Sequence, residues 1–199
     1  KDTFLKGASI ATAGYLVKKS ISDAIDFNSI AIDIKKVKPS LEIDNVKKSL
    51  IELKKVAPGK SFEDLGLAYK FAVQNMKEEE VEGFLKIAEK STIAFDMSAQ
   101  ETAESLTKLK TQYKLTNEEI MNFADKTAYA HHNFGTATVA NILRVQGGLA
   151  GMTQAMNVNK DSVLAWSTTL LQSGLDAGTV ASSIENMITR LSSLKGGHA

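Results

Sequence analysis

The stretch 95–120, FDMSAQETAESLTKLKTQYKLTNEEI, states one phrase twice. An apolar residue is followed by a hydroxyl residue, two further positions and Glu. Met97-Ser98-Ala99-Gln100-Glu101 is answered eighteen residues later by Leu115-Thr116-Asn117-Glu118-Glu119. This is the capping-box pattern: the hydroxyl accepts the backbone N–H three residues on, and the Glu carboxylate reaches back to the N–H of the hydroxyl residue. Leu115 and Ile120 stand at the staple positions, one before the cap and four after it. The spacing predicts helices starting near 98 and near 116, the first at most about 25 Å long. A short connection around 112–115 then makes an antiparallel helical hairpin.

Variants of the phrase recur. Ser61-Phe62-Glu63-Asp64 is a cap with an acid three residues on, and Met76 to Val81 brackets an acidic first turn with a staple pair. Val158-Asn159 to Val163 has an Asn cap, and Leu175-Asp176 to Val180 an Asp cap. The starts pair as 60/76, 97/115 and 158/175, with spacings of sixteen, eighteen and seventeen residues. These are three hairpins of one type. The longer interval before the third leaves room for one extra helix, at 137–156. Apolar stripes at helical spacing support each hairpin: Thr102, Leu106 and Leu109; Ile120, Phe123, Ala124 and Thr127; Val163, Trp166, Leu170 and Leu171; Val180, Ile184, Met187, Ile188 and Leu191. Each stripe must be buried on another helix. The expected fold is all-α: three packed helical hairpins with one inserted helix, preceded by a long N-terminal helical arm.

The arm is residues 1–59, the hairpin repeat domain 60–194 and a flexible tail 195–199. Residues 3–37 read as one long helix with a weak point at 26–29. Pro39 ends it, because the residue before a proline avoids helical geometry. Residues 40–56 read as a Lys-rich amphipathic helix with Leu41, Val46, Leu50 and Leu53 on one side, and 57–60 as a turn. The uncharged run Gly7–Val17 is eleven residues long. A membrane span needs about twenty, so the run reads as a buried or partner-binding helix. The chain opens on Lys rather than Met, as an excised piece of a longer protein does.

Composition narrows the chemistry. The chain has 199 residues, 43% of them hydrophobic, enough for one large core or two small ones. It has no cysteine, which excludes disulfides, thiolate nucleophiles and Cys-ligated zinc. Net charge is +1, but it is distributed as +5 over 1–60, −5 over 61–120 and +1 beyond. Solvated helix faces are the plainer reading of that asymmetry; attraction between the two segments is the sharper one.

No catalytic constellation emerges, and no cofactor or metal site is expected. His131 and His132 are neighbours whose side chains diverge by about 100° on a helix, where a zinc pair wants three or four residues between ligands. Glu78, Glu79, Glu80 and Glu82 cluster at a helix start, where the dipole favours acids. VQGGLAG (145–151) lacks the Lys-Ser/Thr of a phosphate loop. It reads as helix, with Gly147, Gly148 and Gly151 giving a smooth face for another helix. Each glycine costs about 1 kcal/mol against alanine in a helix, so three together need a reason. Arginine occurs only at 144 and 190, and the second helices of the hairpins begin acidic, so sequence-specific nucleic-acid binding is not expected.

Three stretches carry a resemblance: AIDFNSIAIDIKKV (24–37), FLKIAEKSTIAFDMSAQETAESLTKLKTQYKLTNEEIMNFADKTAYAHHN (84–133) and ANILRVQGGLAGMTQAMNVNKDSVLAWSTTLLQSGLDAGTVASSIENMITRL (140–191). In order and spacing, over about 170 residues, they resemble the conserved core region of phage tail tape measure proteins. The sequence departs from that pattern at Asn28, where an acid is usual, and at His131-His132, where polar residues other than His are common. The resemblance implies a non-enzymatic structural protein of a tailed phage, prophage or tail-like particle, lying in the lumen of the tail tube and in host cytoplasm during assembly. It implies a role in setting tail length and expulsion from the tube at infection. The implied partners are further copies of the chain, tail tube and baseplate or tail-tip proteins, tail assembly chaperones, and the host envelope during ejection. Ile10, Ala13, Leu16 and Val17 on the first helix, with Gly147, Gly148 and Gly151, are the expected interaction residues. Two other classes compete: a peptidoglycan-hydrolase-associated module of the same chain, which a zymogram separates, and a cellular helical adaptor, which gene neighbourhood separates.

Overall fold

A computed structural model of the chain describes residues 27–135 and 137–196. Nine helices and no strand occur among them: α1 (27–37), α2 (Ile43–Val56), α3 (Phe62–Asn75), α4 (Glu78–Phe95), α5 (Ala99–Gln112), α6 (Asn117–Phe134), α7 (Val139–Ala155), α8 (Lys160–Gln172) and α9 (Ala177–Gly196). The chain is all-helical, as the capping phrases predict. The part of the expected 3–37 helix before residue 27 lies outside the described residues.

The capping phrases act as written, with one difference. At α6 the box is complete: the Glu119 N–H donates to Thr116 Oγ1 at 3.2 Å, and the Thr116 N–H donates to Glu119 Oε2 at 2.8 Å. At α5 only half forms. The Glu101 N–H donates to Ser98 Oγ at 3.1 Å, but the Ser98 hydroxyl itself donates to Glu101 Oε2. Asp64, on α3, caps this start as well: its carboxylate accepts the N–H groups of Ala99 at 2.9 Å and Gln100 at 3.0 Å. A charged acceptor on two orphan donors is a strong N-terminal cap.

Four turns share one construction. Asp96, Lys114, Asn157 and Gly174 have φ of 52°, 54°, 53° and 89°. Each is followed by an apolar residue and then by the next cap: Met97-Ser98, Leu115-Thr116, Val158-Asn159 and Leu175-Asp176. In three of them the apolar residue's N–H closes back on the helix just ended: Leu115 N to Lys110 O at 2.8 Å, Val158 N to Thr153 O at 2.8 Å and Met97 N to Thr92 O at 3.4 Å. This is the Schellman geometry of a helix C-terminus, fused without a gap to the N-cap of the following helix.

Such short turns set the architecture. Each helix packs on its chain neighbour, and α2·α4, α3·α5, α4·α6, α5·α7, α6·α8 and α7·α9 pack as second neighbours. Odd helices form one layer and even helices the other. The inserted helix α7 takes a full place in the odd layer, between α5 and α9. Helix starts lie side by side within a layer: Lys110 on α5 and Asn117 at the start of α6 both reach Glu80 at the start of α4, at 3.1 Å each. The core runs the length of the stack, from Ala31 and Ile34 on α1 through Leu50, Phe84, Leu106, Phe123 and Ile142 to Ile184 and Ile188 on α9.

The stripe on α8 is rotated from the expected one. Val163, Leu164, Ser167, Thr168 and Leu171 are buried, while Trp166 and Leu170 are half-buried. Ser167 and Thr168 enter the core because their hydroxyls donate to the carbonyls of Val163 and Leu164, at 2.6 and 2.8 Å, and leave no polar group unpaired. Thr92, Thr102, Thr127 and Thr153 do the same. On α9, Val180, Ile184 and Ile188 are buried and Leu191 is exposed. Ser182, Ser183, Glu185, Asn186, Thr189 and Arg190 give that helix a polar outer face.

The charge asymmetry finds no contact to match it. Among the described residues the ion pairs join Lys35–Glu42, Lys36–Asp33, Lys55–Glu52, Lys86–Glu82, Lys110–Glu80 and Lys126–Asp161. None joins the basic first sixty residues to the acidic second sixty.

Two expected outcomes test this account in chemical denaturation. Lys114→Gly relieves a left-handed backbone and raises stability by about 1 kcal/mol, while Gly174→Ala lowers it by a similar amount. Unchanged midpoints would remove the turn geometry from the explanation. Gly66 packs under Ile30 of α1, and a Cβ there collides with Ile30 Cγ2. Gly66→Ala therefore costs about 1–3 kcal/mol. With Ile30→Ala already present, the same change turns neutral or stabilising.

Candidate interaction surface and a buried acid

Gly147, Gly148 and Gly151 lie on α7, as expected, but no other helix among the described residues approaches them closely. A Cβ added at any of the three meets nothing within 4 Å. Gly148 and Gly151 are exposed and Gly147 is half-buried. With Ala140, Arg144 and Ala155, also exposed, Gly148 and Gly151 form one stripe down the outward side of α7. The opposite side, with Ile142, Val145, Leu149 and Ala150, is buried. Beneath it the Gln146 amide donates to Ser167 Oγ at 3.1 Å and ties α7 to α8. Gly147 also lines an open groove of about 390 Å³ between α5 and α7, with Glu101, Glu104, Lys108 and Arg144 on its walls. The outward face of α7 is thus short of side chains and flanked by both signs of charge. Ile10, Ala13, Leu16 and Val17 lie outside the described residues, so the structure does not bring them to this face.

The glycines that do serve close helix approach inside the chain are Gly66, under Ile30, and Gly83, whose Cβ would stand 2.8 Å from Asn117 Nδ2. Neither stands in a cluster, so composition did not single them out. The even layer presents a second set of outward residues. Met121 and Tyr129 on α6 are 42% and 68% exposed and border one depression with Asp125 and Lys126. Beside it Ala130 and Phe134 face Leu164, Ala165 and Thr168 of α8 across a groove of about 230 Å³. The signal for two of these was present: Met121 and Tyr129 are large apolar residues of α6 that miss its Ile120–Phe123–Ala124–Thr127 stripe, whereas Phe134 falls on it by spacing.

The polar residues singled out by sequence have structural ties. His131 Nδ1 lies 3.0 Å from the carbonyl of Ala137 and holds the α6–α7 connection. Glu78 accepts from Ser40 Oγ at 2.8 Å, Glu80 pairs with Lys110 and Glu82 with Lys86. Among the described residues no group of three or more His, Asp or Glu is placed to hold a metal ion. No described helix is long and apolar enough to cross a membrane.

One buried acid among the described residues has no such tie. Glu89, on α4, is fully buried, and neither carboxylate oxygen has a hydrogen-bond partner. Burial, joined by the negative charge of Asp64 and opposed by Lys60, pushes its carboxyl up from 4.5 to about 7. Lys60 in turn donates to the carbonyl of Met97 at 2.7 Å. Glu89 therefore sits against the point where residues 60–64 grip the start of α5. Sequence gave no warning of it, since a Glu in a charged helix reads as solvated.

The stacked hairpins, with a core running end to end and outward faces of small and apolar residues, are the frame in which comparison with known proteins is informative. A search of curated proteins and one of solved structures found no match. Residues 49–198, from within α2 to beyond the end of α9, match the family described as phage-related minor tail protein. That match covers most of the chain and all of the stack from α3 onward, and the chain belongs to the phage-related minor tail protein family.

Proposed function

We propose that the chain is the core module of a tape measure protein, a non-enzymatic structural element lying in the lumen of the tail tube. It acts there through helix–helix contacts in several copies. The observation that carries this reading is the family match over 49–198, which the phrase order of 24–191 refines. Length is set by helical segments at about 1.5 Å per residue, and the stacked hairpins form a compact module on that ruler. Tail tube and baseplate or tail-tip proteins and assembly chaperones are its partners, and it leaves the tube ahead of DNA, meeting the host envelope. A density map of intact particles should show several copies of the chain inside the tube. Its absence from the lumen, or peptidoglycan cleavage by the purified chain in a zymogram, would overturn the reading.

The copies meet at Gly147, Gly148 and Gly151, together with Ile10, Ala13, Leu16 and Val17. The support for α7 is energetic. Three glycines weaken a helix by about 1 kcal/mol each, and nothing among the described residues takes up the space they leave. Two substitutions separate the terms. Gly148→Ala and Gly151→Ala should each raise monomer stability by about 1 kcal/mol in denaturation. Gly148→Leu and Ala13→Arg should each lower the oligomer mass in light scattering while leaving the helical circular dichroism intact. Unaltered mass in both variants would remove these residues from the interface.

A further inference from the structure

Three features meet at one place in the stack. The Asp64 carboxylate caps α5 through the N–H groups of Ala99 and Gln100. The Lys60 ammonium holds the carbonyl of Met97 in the preceding turn. The Glu89 side chain, on α4, is fully buried with both oxygens unpartnered and within electrostatic reach of both charges. In its protonated form Glu89 is a tolerable core residue. In its ionised form it sets a second negative charge against Asp64, with no donor of its own.

We propose that Glu89, Asp64 and Lys60 form a proton-operated latch on the start of α5: protonated Glu89 lets α4 close over the Asp64 cap, and loss of that proton forces the two carboxylates apart and frees the first turn of α5. The charged side chains that bear on Glu89 are Asp64 from α3 and Lys60 from the turn before it. On α2 and α6, which also pack on α4, the buried residues are Val46, Leu50 and Leu53, and Ile120, Phe123, Ala124, Thr127 and Ala130, all without charge. From α5 come the Ala99 and Gln100 N–H groups, which Asp64 already occupies. Neither charged group satisfies the Glu89 oxygens, so the strain on ionisation is relieved by moving α4 or the cap. The latch stands at the joint between the α3–α4 hairpin and everything that follows, and α3·α5 is the contact it governs.

The direction with pH follows from linkage. The folded chain holds the Glu89 proton more tightly than the unfolded chain, with values of about 7 and 4.5. The stabilisation that the Glu89 proton gives the latch is fully present below about pH 4.5 and is lost as pH rises through about 7. A difference of that size corresponds to a change on the order of 10²-fold in the closing equilibrium.

Hydrogen exchange of the whole chain tests this, after correction for the intrinsic exchange rate. Between about pH 5.5 and about pH 8.5, protection at 98–101 should fall on the order of 10- to 100-fold. Protection in α7–α9 should hold over the same range. Glu89→Gln, a neutral isostere, should keep 98–101 protected at both ends. Should that variant fail to fold, the carboxyl carbon of Glu89 in the native chain can be titrated by NMR. A midpoint near 7 supports the latch and one below about 5 overturns it. Equal loss of protection in every helix, or the same pH response in Glu89→Gln, also overturns it.

Discussion

The structure depends on a turn of three residues: one in the left-handed region, one apolar, one cap. The outgoing helix ends by closing its carbonyls on the turn, and the incoming helix begins by closing its N–H groups on the cap, so no backbone group is left over between them. Leu115 shows both ends of the device. Its N–H reaches Lys110 O, and its side chain is buried with that of Ile120. A connection this short cannot carry the chain away from the helix it has left. The next helix must return alongside, and the one after that must lie on the first. The order of the stack from α3 to α9 follows from repeating that local constraint, with a two-residue connection at α3–α4 and a four-residue one at α6–α7 that keep the same alternation.

Within the stack, polarity is handled locally. Buried Ser and Thr hydroxyls other than that of Thr107 return to carbonyls of their own helix, and Gln146 meets Ser167 across α7 and α8. Lys110, buried at the α5–α6 turn, is held by Glu80 and by the carbonyl of Leu115 at 2.9 Å. Asp64 acts over a longer range, one carboxylate fastening the start of α5 to the start of α3. Next to it lies Glu89, the one acid of the interior without any such arrangement among the described residues.

Features confined to neighbouring residues were legible in the sequence. The cap at Thr116, the cap at Ser98, the Asn159 and Asp176 starts and the room for α7 all come from short phrases whose partners lie within a few positions. Features that depend on how helices face one another were not. Asp64 serves a helix that starts thirty-five residues later, and nothing in Ser61-Phe62-Glu63-Asp64 separates a local cap from a distant one. Gly66 carries no signal of its own in the sequence, yet it admits Ile30. The glycine cluster on α7 reads as a packing face, yet it turns away from the chain. The α8 stripe shifted for the same reason: periodicity assigns Ser and Thr to solvent, whereas their hydroxyls are satisfied within the helix and can be buried. The family resemblance rested on phrase order, and the match over 49–198 bears it out at the level of a phage tail protein.

A stack in which the described helices α2 to α9 pack on their first and second neighbours has no single contact that locks the whole. Its cohesion is linear, and each layer depends only on the layers beside it. Tension applied at one end therefore meets the resistance of one helix pair at a time, and the chain pays out as a narrow thread while the remainder stays folded.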